Sequence, residues 1–289
     1  MTAWAGQGRN PGMNARDYFS LKTVVITGGS SGIGLSLSEK LAAHEAKLVL
    51  VARRANVLDE AKEKILRNHP RASVTTLPLD ISDESAVTSA MGALVEKTPV
   101  DMLVNNAGVV MPGRFLELPT SEFRQMMDIN YFGMIHMCKA VLPHMSARST
   151  GHVVNVSSLA GVMGIYGYTA YAASQFAVVG FSQALRGEMW PHGVKVSVCL
   201  PPDTDTPQLA FENQHKPAET KAIAGTVKTL PAEAVANAMI AGMVKGQFEI
   251  YPDLASRMVA MGQGALPAVA RWVCDAAQRK ATQGDTRRS

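Results

Sequence analysis

The stretch Thr27-Gly28-Gly29-Ser30-Ser31-Gly32-Ile33-Gly34 follows a short run of apolar residues and opens a segment of helical periodicity. Backbone N–H groups at a helix start carry a positive partial charge and lack partners within the helix, so a diphosphate placed there is stabilised. Glycine lets the backbone approach that anion closely, although a tight turn with close helix packing needs glycine too. The spacing is Gly-x-x-x-Gly-x-Gly rather than the commoner Gly-x-Gly-x-x-Gly. Arg53 and Arg54 end the second apolar run, where an acidic residue for the ribose hydroxyls of NAD is usual. A guanidinium there suits the 2′-phosphate of NADP, so NADP, as NADPH, is the expected cofactor. Successive strand residues point to opposite faces, so only one of the two arginines is expected to face inward, and a plain surface arginine is the alternative. Asp80, after the third apolar run, reads either as an acceptor for the adenine amino group or as the cap of a helix starting near Ser82.

The elements that must hold these residues alternate. Strands are expected at Thr23 to Thr27, Lys47 to Ala52, Ser73 to Leu77, Met102 to Asn105, His152 to Ser157, Lys195 to Leu200 and Phe248 to Tyr251. Helices are expected between them: Gly32 to Glu45, with Ile33, Leu37 and Leu41 on one face, then Asn56 to Asn68 and Ser82 to Val95. Ser121 to Ala147 reads as one broken or two consecutive helices, Tyr171 to Trp190 as another, and Pro231 marks the start of the last before the seventh strand. Such alternation implies parallel strands with right-handed crossovers. The expected fold is α/β: a Rossmann-type, doubly wound, seven-stranded parallel sheet flanked by helices in a single domain. Ligands of such sheets bind at the carboxyl ends of the strands where strand order reverses. The expected organisation is a flexible leader over 1–20, the sheet domain over 21–253 and a C-terminal helical tail over 254–289.

Composition excludes several other classes. A chain of 289 residues, 47% hydrophobic, is long enough for one large core. Its formal net charge of +4 is spread out, with small basic clusters near both ends, and does not point to nucleic acid. Cys138, Cys199 and Cys274 are far apart and odd in number, so neither a disulfide framework nor a zinc site is indicated. The first residues are too polar for a signal peptide, and no apolar run reaches the ~20 residues needed to span a bilayer. The expected location is cytoplasmic, with peripheral contact to a membrane surface left open.

Four further sites line up: Asn105-Asn106-Ala107-Gly108 after the fourth strand, Asn130, Ser158 after the fifth, and Tyr171 thirteen positions beyond Ser158. Together with the glycine turn they resemble the short-chain dehydrogenase/reductases, and the match runs from about Thr23 to Tyr251. The resemblance implies that Tyr171 is the general acid or base, that Ser158 holds the substrate oxygen while Ser157 is structural, and that Asn130 positions a relay water. It implies that the cofactor delivers hydride and is contacted by Gly28, Ser30, Ser31, Gly32, Ile33, Gly34, Asn106, Ala107, Gly108, Tyr171 and position 175. It also implies a homodimer or homotetramer through the helices carrying Asn130 and Tyr171.

Within that family, Pro201-Pro202-Asp203-Thr204-Asp205-Thr206-Pro207 is similar to the corresponding segment of the 3-ketodihydrosphingosine reductases, as are Val100 to Asn105 and Gly167 to Tyr171. This likeness implies a hydrophobic ketone as substrate, a long-chain amino ketone reduced with NADPH. Pro201, Thr204 and Thr206 are then expected against the cofactor, with the two hydroxyls on its carboxamide or phosphates, and Pro207 to Thr220 as a mobile lid. Asp203 or Asp205 is expected either to face the substrate ammonium or to form a turn with its threonine neighbour. From Leu254 to Ala277, Met258, Met261, Leu266, Val269, Trp272 and Val273 recur near helical spacing; a membrane interface and a packing or subunit contact are both open readings.

The sequence departs from the family at Gln175. It lies one helical turn beyond Tyr171 on the same face, where the family motif Tyr-x-x-x-Lys has a lysine. A cation about 5 Å away at an effective dielectric near 20 contributes roughly 3 kcal/mol, or about two pKa units, to ionisation of the phenol. Glutamine still hydrogen-bonds ribose hydroxyls but brings no charge and relays no proton. Cofactor binding with slow turnover is therefore expected. In a ketone-reduction assay Gln175→Lys should be faster by ~10²–10⁴-fold, and equal rates for the two proteins would refute the argument.

Overall fold

Every residue of Thr23–Thr27 (β1) is buried in the computed structural model, which describes residues 14–224, 228–265 and 276. A strand covered on both faces by helices has no need of polar alternation, and this one is apolar except at its ends. Ala15–Phe19 (α1) precedes it, and Gly32–Ala43 (α2), Lys47–Ala52 (β2), Ala55–Asn68 (α3), Ser73–Pro78 (β3), Glu84–Lys97 (α4) and Met102–Asn105 (β4) follow. Thr120–Met127 (α5) runs through a π-helical turn, Asp128–Phe132, into Gly133–Ala147 (α6). Next come Gly151–Val156 (β5), Thr169–Met189 (α7), Val194–Cys199 (β6), Thr204–Asp205 (β7) and Pro207–His215 (α8). Ala218–Ala224 (α9), Leu230–Pro231 (β8), Ala232–Val244 (α10), Glu249–Ile250 (β9) and Leu254–Ala265 (α11) complete the described chain.

The main sheet has seven parallel strands in the order β3-β2-β1-β4-β5-β6-β9, and β7 pairs with β8 apart from it. This is the doubly wound sheet expected from the alternation of elements. Strand order reverses between β1 and β4, so their carboxyl ends, Thr27 and Asn105, flank the crevice. Side chains alternate across the sheet. Val24 and Ile26 of β1 pack with Leu37 and Leu41 of α2 and Met239 of α10, whereas Val25 packs with Met91 of α4, Met137 of α6 and Val178 of α7.

One difference from the sequence expectation concerns the start of the chain. The leader was drawn to residue 20, but α1 belongs to the folded body: Phe19 is fully buried in the first core cluster and Tyr18 reaches across to β5. At the other end, α11 exposes Leu254, Met258 and Met261, and Leu266, Val269, Trp272 and Val273 lie outside the described residues. Among the described residues no helix is long and apolar enough to cross a membrane.

The histidine that Tyr18 reaches sets a pH dependence of stability through its burial. His152 of β5 is buried, with Nδ1 3.0 Å from the Tyr18 hydroxyl and Nε2 2.8 Å from Ser197 Oγ. Ser197 donates its own hydrogen to the Gln247 carbonyl, so Nε2–H is the donor and the Tyr18 hydroxyl donates to Nδ1. Burial, with Lys195 nearby, pushes the His152 pKa down from 6.5 to about 3. The unfolded chain therefore takes up a proton at this position as pH falls below 6.5, while the folded chain does not until about 3, and stability is lost across that window. Between pH 6.5 and 5 the loss should be about 2 kcal/mol, from roughly 1.4 kcal/mol per pH unit. Urea unfolding should show that slope in the native protein and less than half of it in His152→Gln; equal slopes would contradict the assignment.

Candidate active site

At the carboxyl end of β1 the chain turns on glycines that nothing larger can replace. Gly28 has φ +65°, and a Cβ on Gly34 would lie 2.3 Å from the Gly28 carbonyl oxygen. The turn packs directly against α2, whose first N–H groups stay open because the Ser31 side chain at the N-cap makes no capping hydrogen bond. Asn106 locks the turn across the switch point. Its Nδ2 donates to the carbonyls of Thr27, at 3.0 Å, and Gly28, at 3.3 Å, while Thr27 Oγ1 accepts from the N–H groups of Asn106 and Ala107.

A cavity of about 580 Å³ opens over this turn and runs along the carboxyl ends of the strands. Gly28, Ser30, Ser31, Gly32 and Ile33 border one end, and Ser158, Tyr171 and Gln175 border the other. Asn106, Ala107, Gly108, Asn130, Pro201, Thr204 and Thr206 also border it. Gly34 does not; it lies beneath the turn, and its part is the close packing of α2 on Gly28.

Arg53 and Arg54 both border the cavity, against the expectation that one must turn away. Both lie beyond the end of β2, with Arg54 at the N-cap position of α3 and no capping hydrogen bond from its side chain, so strand alternation no longer separates them. Asp80 borders the cavity as well, and it is not a helix cap: α4 starts at Glu84 and is capped by Asp83, whose carboxylate accepts from Ala86 N–H. Asp80 Oδ1 accepts instead from the N–H and hydroxyl of Ser82. Burial raises the Asp80 pKa, but those two bonds and Arg53 outweigh it and leave the carboxyl below its ordinary range.

Asn130 sits within the π-helical turn, a distortion that re-aims side chains and recurs at functional sites. Its Oδ1 accepts from Val109 N–H at 2.8 Å, and its Nδ2 donates to the Val109 carbonyl at 2.9 Å and Ser174 Oγ at 3.0 Å. Both amide hydrogens are committed to fixing the segment after β4 against α7, so the side chain is a positioning group rather than the donor to a relay water. Ser157 is buried and donates to the Gln175 carbonyl, and Ser158 caps a short 3₁₀ turn and borders the cavity with Tyr171. Thr204 and Thr206 donate their hydroxyl hydrogens to the carbonyls of Pro202 and Thr204, and Thr206 caps α8. With their hydrogens so placed, these hydroxyls face a bound cofactor as acceptors, as for a carboxamide N–H, rather than as donors to phosphate.

Tyr171 is surrounded by groups that oppose its ionisation. Burial raises its pKa well above the ordinary tyrosine value, and the charges of Glu212 and Asp203 raise it further, against the opposing pull of the Ser158 hydroxyl. Gln175, one turn along α7, is 4% exposed, and its Oε1 has no hydrogen-bond partner.

The sequence reading missed the group on the other side of Tyr171. Tyr168 donates to Glu212 Oε2 at 2.7 Å, and the Tyr168 and Tyr171 rings meet edge to face at 5.5 Å. Lys216, with a side chain only 1% exposed, pairs with Asp203 at 2.7 Å and with Glu212 at 3.6 Å. Glu212, Asp203 and Tyr168 all border the cavity, whereas Asp205 is exposed in β7 and does not. The segment expected as a mobile lid is α8 and α9, tied down by Lys216–Asp203, Arg114–Glu219 and the bond from Thr220 to the Tyr166 carbonyl. Further along the cavity the walls are apolar, with Met163, Ile165, Leu209, Ile223, Met258 and Val259.

Comparison with known proteins places this arrangement. A sequence profile described as short chain dehydrogenase matches residues 22–217. The 3-ketodihydrosphingosine reductase of Bos taurus is 43% identical over 229 residues, 78% of this chain and 69% of that protein. The protein of the same name in Dictyostelium discoideum is 33% identical over 257 residues, 83% of this chain and 77% of its own. Among solved structures, levodione reductase superposes with a TM-score of 0.75 at 28% identity, covering 86% of this chain and 99% of that one. A short-chain dehydrogenase from Sphingobium yanoikuyae in complex with NADPH gives 0.73 at 25% identity, covering 86% and 96%.

Proposed function

The chain belongs to the short-chain dehydrogenase family, and from that premise we propose that it is an NADPH-dependent ketoreductase acting on 3-ketodihydrosphingosine or a closely related long-chain ketone. The observation that carries the reading is the placement of Tyr171 and Ser158 together at one end of a cavity whose other end is the open start of α2. The relatives named for 3-ketodihydrosphingosine support the substrate, and the apolar wall from Met163 to Val259 suits an alkyl chain.

The residues present fit a nicotinamide dinucleotide. The start of α2 receives the diphosphate, Arg53 and Arg54 the 2′-phosphate, Asp80 the adenine amino group, and the unpartnered Gln175 Oε1 a ribose hydroxyl. When bound in reduced form, that group supplies a hydride to the carbonyl carbon. Ser158 donates to the substrate oxygen, and Tyr171 gives its proton to the same oxygen. Hydride on carbon and proton on oxygen account for both hydrogens of the product alcohol, and Tyr171 regains its proton from solvent. With Gln175 in place of lysine, position 175 brings no cation to offset the charge that develops on Tyr171 as its proton leaves, and turnover is slower than a lysine there would allow.

A second reading, a cofactor-binding protein without turnover, is favoured by Gln175 alone. A cytoplasmic homo-oligomer remains part of the proposal; Phe132 and Phe176, exposed beside Asn130 and on α7, suit a subunit contact. Assayed on 3-ketodihydrosphingosine, the protein should prefer NADPH over NADH by about 10²-fold, the worth of charge-assisted bonds to a phosphate. Replacing Arg53 and Arg54 together by alanine should cut that preference at least tenfold, mainly through KM for NADPH. No preference, or one untouched by the double change, would contradict the NADP assignment, and NADPH binding with no ketone reduced even by Gln175→Lys would favour the second reading.

A further inference from the structure

Along α7, Tyr168 at the cap, Tyr171 and Gln175 follow one another at successive turns on the face that borders the cavity. One turn before Tyr171, the Tyr168 hydroxyl leads to Glu212; one turn after it stands the amide of Gln175. Both neighbours present acceptor oxygens. Gln175 Oε1, on a side chain 4% exposed, has no partner in the protein, and Glu212, 8% exposed, is held by Tyr168 and Gln208 with Lys216 near, yet burial and Asp203 still leave its pKa raised, so its charged form is incompletely compensated. The ammonium of Lys216 is 2.7 Å from Asp203 but 3.6 Å from Glu212, so its charge goes mainly to Asp203. Two carboxylates against one ammonium leave this end of the cavity short of one positive charge.

We propose that Glu212, backed by Asp203, binds the ammonium of a 2-amino ketone, and that this ammonium supplies at Tyr171 the positive charge that position 175 lacks. The proposal rests on the ketoreductase reading and assigns the residues that select its substrate. An amine on the carbon next to the carbonyl lies about 3 Å from the carbonyl oxygen, hence within about 5 Å of a hydroxyl protonating that oxygen. A cation at that range shifts the phenol by about two pKa units at an effective dielectric near 20, the same effect a lysine at position 175 would have. The ammonium neither gains nor loses a proton over the reaction; the two added hydrogens still come as hydride and as the Tyr171 proton. A ketone of the same length without the amine leaves Glu212 uncompensated and Tyr171 unassisted, so discrimination follows from one charge counted twice, in binding and in proton transfer.

The test compares a long-chain 2-amino-3-ketone with the same 3-ketone lacking the amine, using NADPH and the native protein, Glu212→Gln and Gln175→Lys. The native protein should favour the amino ketone by about 10²-fold in kcat/KM. Glu212→Gln should move the two substrates in opposite directions, lowering kcat/KM for the amino ketone at least tenfold and raising it several-fold for the plain ketone, because a negative charge beside Tyr171 is gone. Gln175→Lys should help the plain ketone at least tenfold more than the amino ketone. Equal losses on both substrates in Glu212→Gln would mean a structural role only, and no native preference would overturn the proposal directly. If neither ketone is reduced by the native protein or by Gln175→Lys, the ketoreductase reading falls and takes this proposal with it. Binding to the NADPH-loaded native protein needs no variant: a long-chain alkylamine should bind at least tenfold more tightly than the alkanol of equal length, and equal affinities would overturn the ammonium site.

Discussion

In the proposed reaction a phenol, Tyr171, releases a proton inside a desolvated cavity, with carboxylates on one side and the uncharged Gln175 one turn along its helix, and that is the constraint around which the site is organised. Burial already favours the neutral form of Tyr171, and Glu212 and Asp203 add to that preference. Of the groups that act on it, the Ser158 hydroxyl alone works in the other direction. The neutral form is the one a reductase needs at the start of its reaction. The difficulty comes as the proton leaves, when negative charge develops in a medium that stabilises it poorly.

The rest of the fold holds that phenol in register with the cofactor end. The order of strands reverses between β1 and β4, and Asn106 bonds across the reversal to the carbonyls of Thr27 and Gly28. From β4 the connection continues to Val109, which Asn130 clamps and ties to Ser174 on α7, three residues beyond Tyr171. The glycine turn and the tyrosine are thus joined through a short chain of buried amide and hydroxyl bonds, with Asn130 supplied by a π-helical turn that breaks the regular rise from α5 to α6. Such bonds are individually modest, but each leaves a buried polar group unpaired when broken, so they fix geometry more than they add net stability.

Much of this was legible in the sequence because it is local. The glycine turn between an apolar strand and a helix, the interval from Ser158 to Tyr171, and the single turn from Tyr171 to Gln175 are short-range patterns, and seven strands alternating with helices admit few topologies. The positions of Arg53 and Arg54 were misjudged because alternation was extended past the end of β2. Asn130 was recognised by spacing and the threonines after β6 by the likeness of their segment to a known subfamily, but their hydrogen bonds to distant or neighbouring backbone could not be read from either. Glu212 and Lys216 were hidden for a different reason: they meet Tyr168 and Asp203 only after α8 folds back over the cavity, 44 residues beyond Tyr168 in the case of Glu212. Nothing in the composition of that segment distinguishes a buried carboxylate from a solvated one. Its one local hint was the i,i+4 spacing of Glu212 and Lys216.

Ionisation of Tyr171 itself is the most direct measure of this account. An ultraviolet difference titration of phenolate, native protein minus Tyr171→Phe, isolates that one group from the other tyrosines. Tyr171 should ionise well above the ordinary tyrosine range in the native protein and about two pH units lower in Gln175→Lys. Ionisation at or below the ordinary tyrosine value of 10 in the native protein, or no shift on restoring the cation, would contradict it.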